Sequence, residues 1–310
     1  MMQVRVITPV SFTERTMALL DDHPAVANIV LWEGAARNPA GDVIVCDTAR
    51  EGTSEVLDQL RSLGLLHHGA ITVQEVDVSM SEQADRSEKA VPGLGSDAVV
   101  WEEIEQKTSE ETRLSITYLA FMVVAMIIAS FGVLLDQPIL IVGAMVVGPE
   151  FGPLAALCVG LVRRHRGMIG RAAVTLVVGF AVGLVATVLS TLVLDAVGLV
   201  DRSMLLAKRP LTDFIWRPDA LSWVIAFLAG IAGMLSLTSA KSGALVGVLI
   251  SVTTIPAASN AAVAIAYGVW NEAAGSALQL LINLSAIIIA GLCTLAVQRL
   301  RQAAATAPGR

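Results

Sequence analysis

Apolar residues are distributed unevenly along the chain. Up to about residue 113 they occur in short stretches that alternate with polar residues, whereas the remainder contains long apolar runs. A helix needs about 20 apolar residues to cross a bilayer. The pattern therefore predicts an α-helical polytopic membrane domain at 114–300 with six transmembrane helices, at 114–135, 138–162, 172–194, 221–237, 244–267 and 273–297.

The short stretches predict strands at 4–7, 27–32, 42–47 and 70–76 and helices at 11–23 and 53–63. Ser11 and Glu14 have the spacing of a capping box, and a turn is expected at 34–41. The order βαββαβ predicts a small α+β ferredoxin-like domain at residues 1–78. Residues 79–113 are expected to hold a linker, over 79–97, and then an amphipathic juxtamembrane helix. Residues 301–310 form the predicted tail.

Charge separates the same two parts. Residues 1–113 contain 9 Lys or Arg and 20 Asp or Glu, against 12 and 7 in the remainder. An acidic domain argues against nucleic acid as a partner, and the absence of a leader-like N-terminus predicts that this domain stays in the cytoplasm. Basic residues at 163–171, 241 and 299–310 favour cytoplasmic N- and C-termini. The basic residues of the 195–220 loop do not fit this orientation.

The second apolar run is interrupted by Gly148, Pro149, Glu150, Gly152 and Pro153. Proline removes a backbone donor and clashes with the preceding turn. A charged group at the centre of a membrane helix costs about 2.5–3.5 kcal/mol on insertion scales. The run predicts a broken helix with Glu150 near the bilayer midplane.

The fifth run contains a second proline, Pro256, after a stretch that includes Gly247 and Ser251. Each interrupted run is the middle one of three, and three spans is an odd number, so the triplets would form a 3+3 inverted repeat. Two discontinuous helices would then face each other around a small ion or polar solute. The predicted binding residues are Gly148, Pro149, Glu150, Gly152, Pro153, Thr253, Thr254, Pro256, Asn260 and Asn283, with Ser259, Gln279 and Ser285 nearby. Kinking, helix packing and a buried structural carboxyl remain alternatives.

A second, regulatory site is predicted in the first domain. Asp42, Asp47 and Arg50 lie around a strand-to-helix turn, where backbone donors can meet an anion; a simple surface turn is the alternative. No cofactor or metal is expected, because the three cysteines lack CxxC spacing and His67-His68 reads as a loop. Gly179-x-x-x-Gly183 favours close helix contacts and a homo-oligomer.

These motifs resemble a known family. The stretch Gly143-Ala-Met-Val-Val-Gly-Pro-Glu-Phe-Gly-Pro-Leu-Ala-Ala, with Pro39-x-Gly41-Asp42-Val43 and Asp47-x-Ala49-Arg50-Glu51, is similar to the bacterial membrane proteins grouped as domain of unknown function 389. The resemblance implies a bacterial inner-membrane protein and brings no established substrate. The chain departs from the family pattern at Gly148, where the family often has serine.

Three classes of function are open to such a chain. The first is a transport protein, either secondary transporter or channel, in the lipid bilayer, with the first domain as a ligand-sensing regulator. The second is a membrane-anchored sensor or scaffold without a permeation path, although one span would suffice for that. An intramembrane enzyme is disfavoured, because the chain lacks HExxH, a membrane histidine, a Gly-x-Ser-x-Gly nucleophile and a second membrane carboxylate near Glu150.

Overall fold

The structure is a computed structural model that describes residues 1–76, 78–91, 99–238 and 253–305. Most of the chain is helical, with a small antiparallel sheet near the N-terminus. The chain divides into two compact units. The first contains Met1–Ile104 together with Thr238 and the described residues from Gln298 onward, and the second contains Glu105–Leu237 and 253–297.

The first unit is built on four strands: β1 (Met2–Thr8), β2 (Val26–Arg37), β3 (Ala40–Thr48) and β4 (Ala70–Glu75). Four helices accompany them: α1 (Val10–Asp22), α2 (Arg50–Ser62), α3 (Leu65–His68) and α4 (Glu82–Ala90). The sheet order is β2-β3-β1-β4 and all its pairings are antiparallel, with Val4 opposite Cys46 and Val73. Alternate residues of β1 are buried, as expected for a sheet with one face on the core.

That core lies between one face of the sheet and the helices. Val4, Val6, Ile44 and Cys46 from the strands pack with buried residues of α1, α2 and α3. The side chains on the helices are Leu20, Val56, Leu57, Leu60 and Leu65. The spacing of Val56, Leu57 and Leu60 along α2 explains why this helix lies flat on the sheet.

Several local predictions in this unit are wrong. No capping box forms: α1 begins at Val10, because Pro9 is the N-cap and its carbonyl accepts a bond from the Phe12 N–H at 2.8 Å. The predicted turn at 34–41 is shorter, since β2 extends to Arg37 and its partner β3 begins at Ala40. His67 and His68 end the short helix α3 rather than lying in a loop.

The predicted linker also contains a helix. The Ser81 hydroxyl caps α4 by accepting a bond from the Ala84 N–H at 3.4 Å. Of the predicted juxtamembrane helix, Trp101–Glu111 is helical and is called α5. The predictions for residues 92–98 and for the last five residues of the chain lie outside the described residues.

The remaining helices are α6 (Ile116–Leu134), α7 (Pro138–Val147), α8 (Phe151–Arg163), α9 (Arg166–Ala196), α10 (Arg202–Leu206), α11 (Ala220–Thr238), α12 (Thr254–Ala266) and α13 (Trp270–Ala305). Four of them, α6, α9, α11 and α13, are long and apolar enough to cross a membrane. The pair α7 and α8 adds a fifth candidate span if the two are taken together; they are bent by 52°.

The described part of the chain therefore has four or five candidate spans where six were predicted. The difference lies in the fifth apolar run. Its residues 244–252, with Gly247 and Ser251, fall outside the described residues, and α12 begins only at Thr254. With 13 residues, α12 is about 20 Å long and cannot cross a bilayer alone.

Small residues let the helices of this unit approach closely. A Cβ on Gly179 would lie 2.8 Å from the Tyr118 ring, and one on Gly183 would collide with Met126, both on α6. Gly179 and Gly183 were expected to favour a homo-oligomer, but they are used for packing between α6 and α9 within the chain. Homo-oligomerisation stays a prediction, and Gly179 and Gly183 no longer support it.

Candidate functional site

The predicted break in the second apolar run is present between α7 and α8. Gly148 ends α7, where its N–H donates to the Ala144 carbonyl at 3.0 Å, and Glu150 is the N-cap of α8. Pro153 is the third residue of α8, so its missing N–H removes no helical hydrogen bond. The prolines therefore end one helix and permit the next to start in a new direction.

α12 begins in the same way. Thr253 is its N-cap and Pro256 its third residue, and the first helical bond joins the Ala257 N–H to the Thr253 carbonyl at 3.3 Å. In α8 the equivalent bond joins Leu154 and Glu150 at 3.2 Å. Both helices contain 13 residues. Two half-length helices with proline at the same position thus lie in the same unit.

A side-chain contact joins the N-terminal ends of these two helices. The Thr254 hydroxyl donates to Glu150 Oε1 at 2.6 Å. The Glu150 side chain is only 5% exposed, and its Oε2 has no hydrogen-bond partner among the described residues. A Cβ on Gly148 would lie 2.5 Å from that oxygen and 2.8 Å from Ile255, so a larger residue would require these side chains to shift.

A second polar contact connects α12 to α13. The Asn283 amide donates to the Thr253 hydroxyl oxygen at 2.9 Å, and Asn283 Oδ1 accepts a bond from Gln279 at 3.2 Å. Gln279 Oε1 is buried and finds no partner in the described part of the chain. The N-cap of α12 is therefore tied to an amide pair whose hydrogen bonding is incomplete.

A third cluster contains a buried ion pair. Arg209, in the loop between α9 and α11, pairs with Glu272 near the start of α13, and the two are 3% and 5% exposed. Asn260 of α12 accepts a bond from Arg209 at 3.3 Å and donates to Glu272 at 3.1 Å and to Ser276 at 2.7 Å. The loop thus inserts a charged side chain between two apolar helices.

These clusters form one polar stripe through the apolar helices. On α13 its members are four or three residues apart, which places them on one helix face over about 16 Å. They are Glu272, Ser276, Gln279 and Asn283. On α12, Asn260 lies about 9 Å along the helix from Thr254. The stripe extends from the Arg209–Glu272 pair towards the Glu150–Thr254 contact.

Two further groups near Glu150 were missed from the sequence. The Glu111 side chain, at the end of α5, lies so close to Gly152 that a Cβ there would approach its Oε2 to 2.7 Å. The Tyr118 hydroxyl on α6 is buried, lies within the electrostatic influence of Glu150 and has no hydrogen-bond partner in the described ranges. Glu111 comes from outside the candidate spans, so searching those spans for a second carboxylate could not find it.

Not every predicted site residue joins the stripe. Ser259 and Ser285 donate to Ile255 and Ile282 of their own helices, at 2.8 Å each, and Ser285 is exposed. Ser251 lies outside the described residues. The three prolines, with Gly148 and Gly152, form the backbone frame of the break rather than its polar surface.

The three predicted regulatory residues, Asp42, Asp47 and Arg50, have different hydrogen-bond and ion-pair partners. Asp42, near the start of β3, accepts bonds from the Thr13 hydroxyl at 2.5 Å and the Gly34 N–H at 2.7 Å, which lower its pKa below the ordinary range. Asp47, near the other end of β3, accepts a bond from Asn28 at 2.8 Å.

Arg50, the first residue of α2, pairs with Glu75 at 2.8 Å and with Glu103 at 3.4 Å. The regulatory role of these three residues stays a prediction.

The sequence around Arg209 and Glu272 did not predict that these two side chains are buried. Glu272 lies just before the predicted sixth span, and Arg209 belongs to the basic loop that did not fit the predicted orientation. The spacing of Glu272, Ser276, Gln279 and Asn283 was the one signal that the sequence offered, because a polar stripe of helical period on an apolar helix indicates a buried face.

Comparison with known proteins agrees with the resemblance noted from the motifs. Residues 145–289 match the family model described as Domain of unknown function (DUF389). This region is similar to the DUF389 family. The chain is also 22% identical over 258 residues to the "Uncharacterized protein MJ0678" of Methanocaldococcus jannaschii, covering 83% of this chain and 77% of that protein. No solved structure matches the chain.

The region similar to DUF389 contains the whole stripe. Glu150, Arg209, the α12 residues and the α13 residues all lie between 145 and 289. The antiparallel sheet of the first unit lies outside it. The likeness predicted from the sequence is thus confirmed, and the polar groups described above belong to the matched region.

Proposed function

We propose that this chain is a membrane transport protein for a small ion or polar solute, with the meeting point of α8 and α12 as its central site. The observation that carries the proposal is the contact between Glu150 and Thr254, which joins the first turns of two half-length helices. Discontinuous helices in transporters have this role, because their ends present unpaired backbone groups and partial charges to a solute.

Buried polar groups support the same proposal. Glu150 Oε2, Gln279 Oε1 and Arg209 Nε are buried without partners among the described residues. An unsatisfied buried group costs about 1–3 kcal/mol. Groups of this kind along one stripe are better explained by a passing polar solute than by helix packing, which would satisfy them.

The correspondence of α8 and α12 supports an inverted 3+3 repeat and six spans. The two helices have equal length and equivalent prolines, and they diverge from their meeting point: Arg163, at the end of α8, pairs with Glu105, whereas the end of α12 packs near the end of α6. In this proposal α12 is the second half of a broken fifth span. The sheet order of the first unit likewise supports a ferredoxin-like fold.

We place the protein in the bacterial inner membrane with both termini in the cytoplasm. The one conflict with this orientation was the basic 195–220 loop. Arg209 of that loop is buried and neutralised by Glu272, so it does not count as an exposed positive charge. The exposed residues Arg202, Lys208 and Arg217 remain in the loop.

The same loop covers the Glu272 end of the stripe. Its Leu211 N–H and Thr212 hydroxyl donate to Asp136 at 3.2 and 2.9 Å, and Trp216 packs directly against Gly275 of α13. Together with the Arg209–Glu272 pair, these contacts attach the loop to α13 and to the turn between α6 and α7. In the proposed cycle the loop closes the outer side of the pathway.

The first unit is proposed to be a cytoplasmic domain that senses a ligand and regulates transport. A membrane-anchored sensor or scaffold is the second candidate. It predicts that changes at Glu150 or Asn283 leave the biological output unaltered, since the stripe would then serve packing alone.

A flux assay tests transport directly. Proteoliposomes containing the full chain are assayed for uptake of labelled sodium, rubidium and chloride ions, glycerol and glycine, in comparison with protein-free vesicles. We expect faster uptake of at least one probe, a loss of that uptake in Glu150→Gln and Asn283→Leu, and its retention in Ser285→Ala, the exposed neighbour on α13. Equal uptake by wild type, Glu150→Gln and protein-free vesicles would count against transport.

A further inference from the structure

The stripe contains two equally buried carboxylates with different surroundings. Glu150 and Glu272 are each 5% exposed. Glu272 is paired with Arg209 and also accepts a bond from Asn260. Glu150 accepts one bond from the Thr254 hydroxyl, and no lysine, arginine or histidine of the described residues forms an ion pair with it. Glu272 therefore has its counter-charge within the chain, whereas Glu150 does not.

A buried carboxylate without a counter-charge is far more costly than a hydrogen-bonded neutral group. One hydroxyl donor does not offset that cost. We propose that Glu150 binds one exchangeable monovalent cation, a proton or a sodium ion, and that this cation is coupled to movement of the solute. The coupling rests on the proposed transport function; the binding of the cation does not.

The surroundings of Glu150 favour exchange over permanent neutralisation. The carboxyl group lies at the first turns of α8 and α12, where helix dipoles contribute a partial positive charge of about one half each. These charges stabilise the ionised form in part, and they cannot replace a bound cation. A paired arginine, as at Glu272, would keep the carboxylate neutralised through the whole cycle.

The available ligands suit a small cation. Glu150 Oε2 is free of hydrogen bonds from the described residues, and the Thr254 hydroxyl supplies a further oxygen atom beside the carboxyl group. Oxygen ligands are those that hard cations prefer. In the proton case, Oε2 carries the proton.

The titratable groups near Glu150 point to a route for the cation. Among the described residues they are Tyr118 on α6 and Glu111, which lies against Gly152 of α8. α12 and α13 contribute hydroxyl and amide groups here, and α9 contributes Gly179 beside Tyr118. Glu111 is exposed and Glu150 is buried, so a cation would reach Glu150 from the Glu111 side.

Infrared spectroscopy of the full chain in lipid tests the proposal. Difference spectra are recorded while the perfusing buffer is changed in pH at constant choline chloride, and then from choline chloride to sodium chloride at constant pH. We expect a carboxyl band that responds to one of the two changes, that is lost in Glu150→Gln and that persists in Glu111→Gln. A response to pH alone identifies the proton, and a response to sodium at constant pH identifies the metal ion.

Thr254→Val is the milder variant in case Glu150→Gln does not fold. This variant removes one hydrogen bond to a charged group and conserves the shape of the side chain. We therefore expect the cation concentration that half-saturates Glu150 to change by about tenfold, while the carboxyl band of Glu150 remains. A carboxyl band that neither pH nor sodium alters would overturn the proposal, because Glu150 would then be neutralised by the chain itself. A responsive band that survives in Glu150→Gln would overturn it as well.

The two proposals fail in different ways. Cation binding at Glu150 without flux of any probe leaves the binding site intact and contradicts transport. Flux that is altered neither by a sodium gradient nor by a pH gradient, each measured in buffer balanced with choline chloride, contradicts the coupling cation and leaves transport intact.

Discussion

The buried pair Arg209–Glu272 offers a prediction whose size follows from the structure. Both side chains are buried, with 3% of Arg209 and 7% of Glu272 exposed, so a single change at either position leaves one charge in an apolar environment. Breaking such a pair costs about 3–5 kcal/mol. We expect Arg209→Met and Glu272→Gln each to lose this amount, whereas Arg209→Met combined with Glu272→Met removes both charges and recovers most of the stability.

Thermal unfolding of the purified protein in detergent, followed by circular dichroism, measures these losses. For a domain of this size 1 kcal/mol corresponds to about 2–4 °C, so each single variant should unfold roughly 10 °C lower. The control is Arg217→Met, from an exposed pair with Asp213 at 3.7 Å in the same loop, which should change stability by about 0.5 kcal/mol or less. If the two single variants resemble this control, the buried network is not formed as described.

Three further predictions concern separate contacts. Gly148→Ala should displace the Glu150 carboxyl and abolish the proposed flux, whereas Gly143→Ala on the same helix meets no atom within 4 Å and should retain it. Gly183→Leu should separate α9 from α6 and cost about 1–3 kcal/mol in thermal unfolding without changing the oligomeric state by light scattering; Gly170→Ala, in open space, should be neutral. Asp42→Asn should lower the unfolding temperature at pH 7. Because hydrogen bonds lower the folded pKa of Asp42, its stabilisation is present above the unfolded value of about 3.9 and is lost as pH falls through the folded value, so the difference from wild type should vanish in acid. A constant difference at all pH values would contradict the role given to Asp42.

The sequence was sufficient for features that depend on local chemistry. The break at Gly148-Pro149-Glu150 follows from proline and glycine within an apolar run, and the sheet strands follow from alternation. The buried pair was not predictable, because Arg209 and Glu272 are 63 residues apart and Arg209 lies within a loop between two apolar segments. The insertion of the 195–220 loop between the helices depends on tertiary contacts, which the sequence does not indicate.

The packing partner of the two glycines in α9 was likewise not predictable from the sequence. The spacing of Gly179 and Gly183 predicted a close helix contact, and such a contact exists, but its partner is α6 of the same chain. The spacing of small residues indicates that one face of a helix can pack closely, but it does not identify the helix that packs against that face. Likewise, Glu111 reaches Gly152 through tertiary packing that no spacing along the chain could indicate.

The central claim is that the meeting point of α8 and α12 lies on a pathway for polar solutes. Cysteine accessibility tests it without knowledge of the solute: Thr254→Cys is introduced after replacement of Cys46, Cys158 and Cys293 by alanine, and intact membranes are treated from each side with a small charged thiol reagent. We predict that Thr254→Cys reacts from at least one side. Ala258→Cys, on the next turn of α12, lies in an apolar cluster rather than beside Glu150 and should not react. If Thr254→Cys reacts from neither side, or no faster than Ala258→Cys, the pathway does not pass this site.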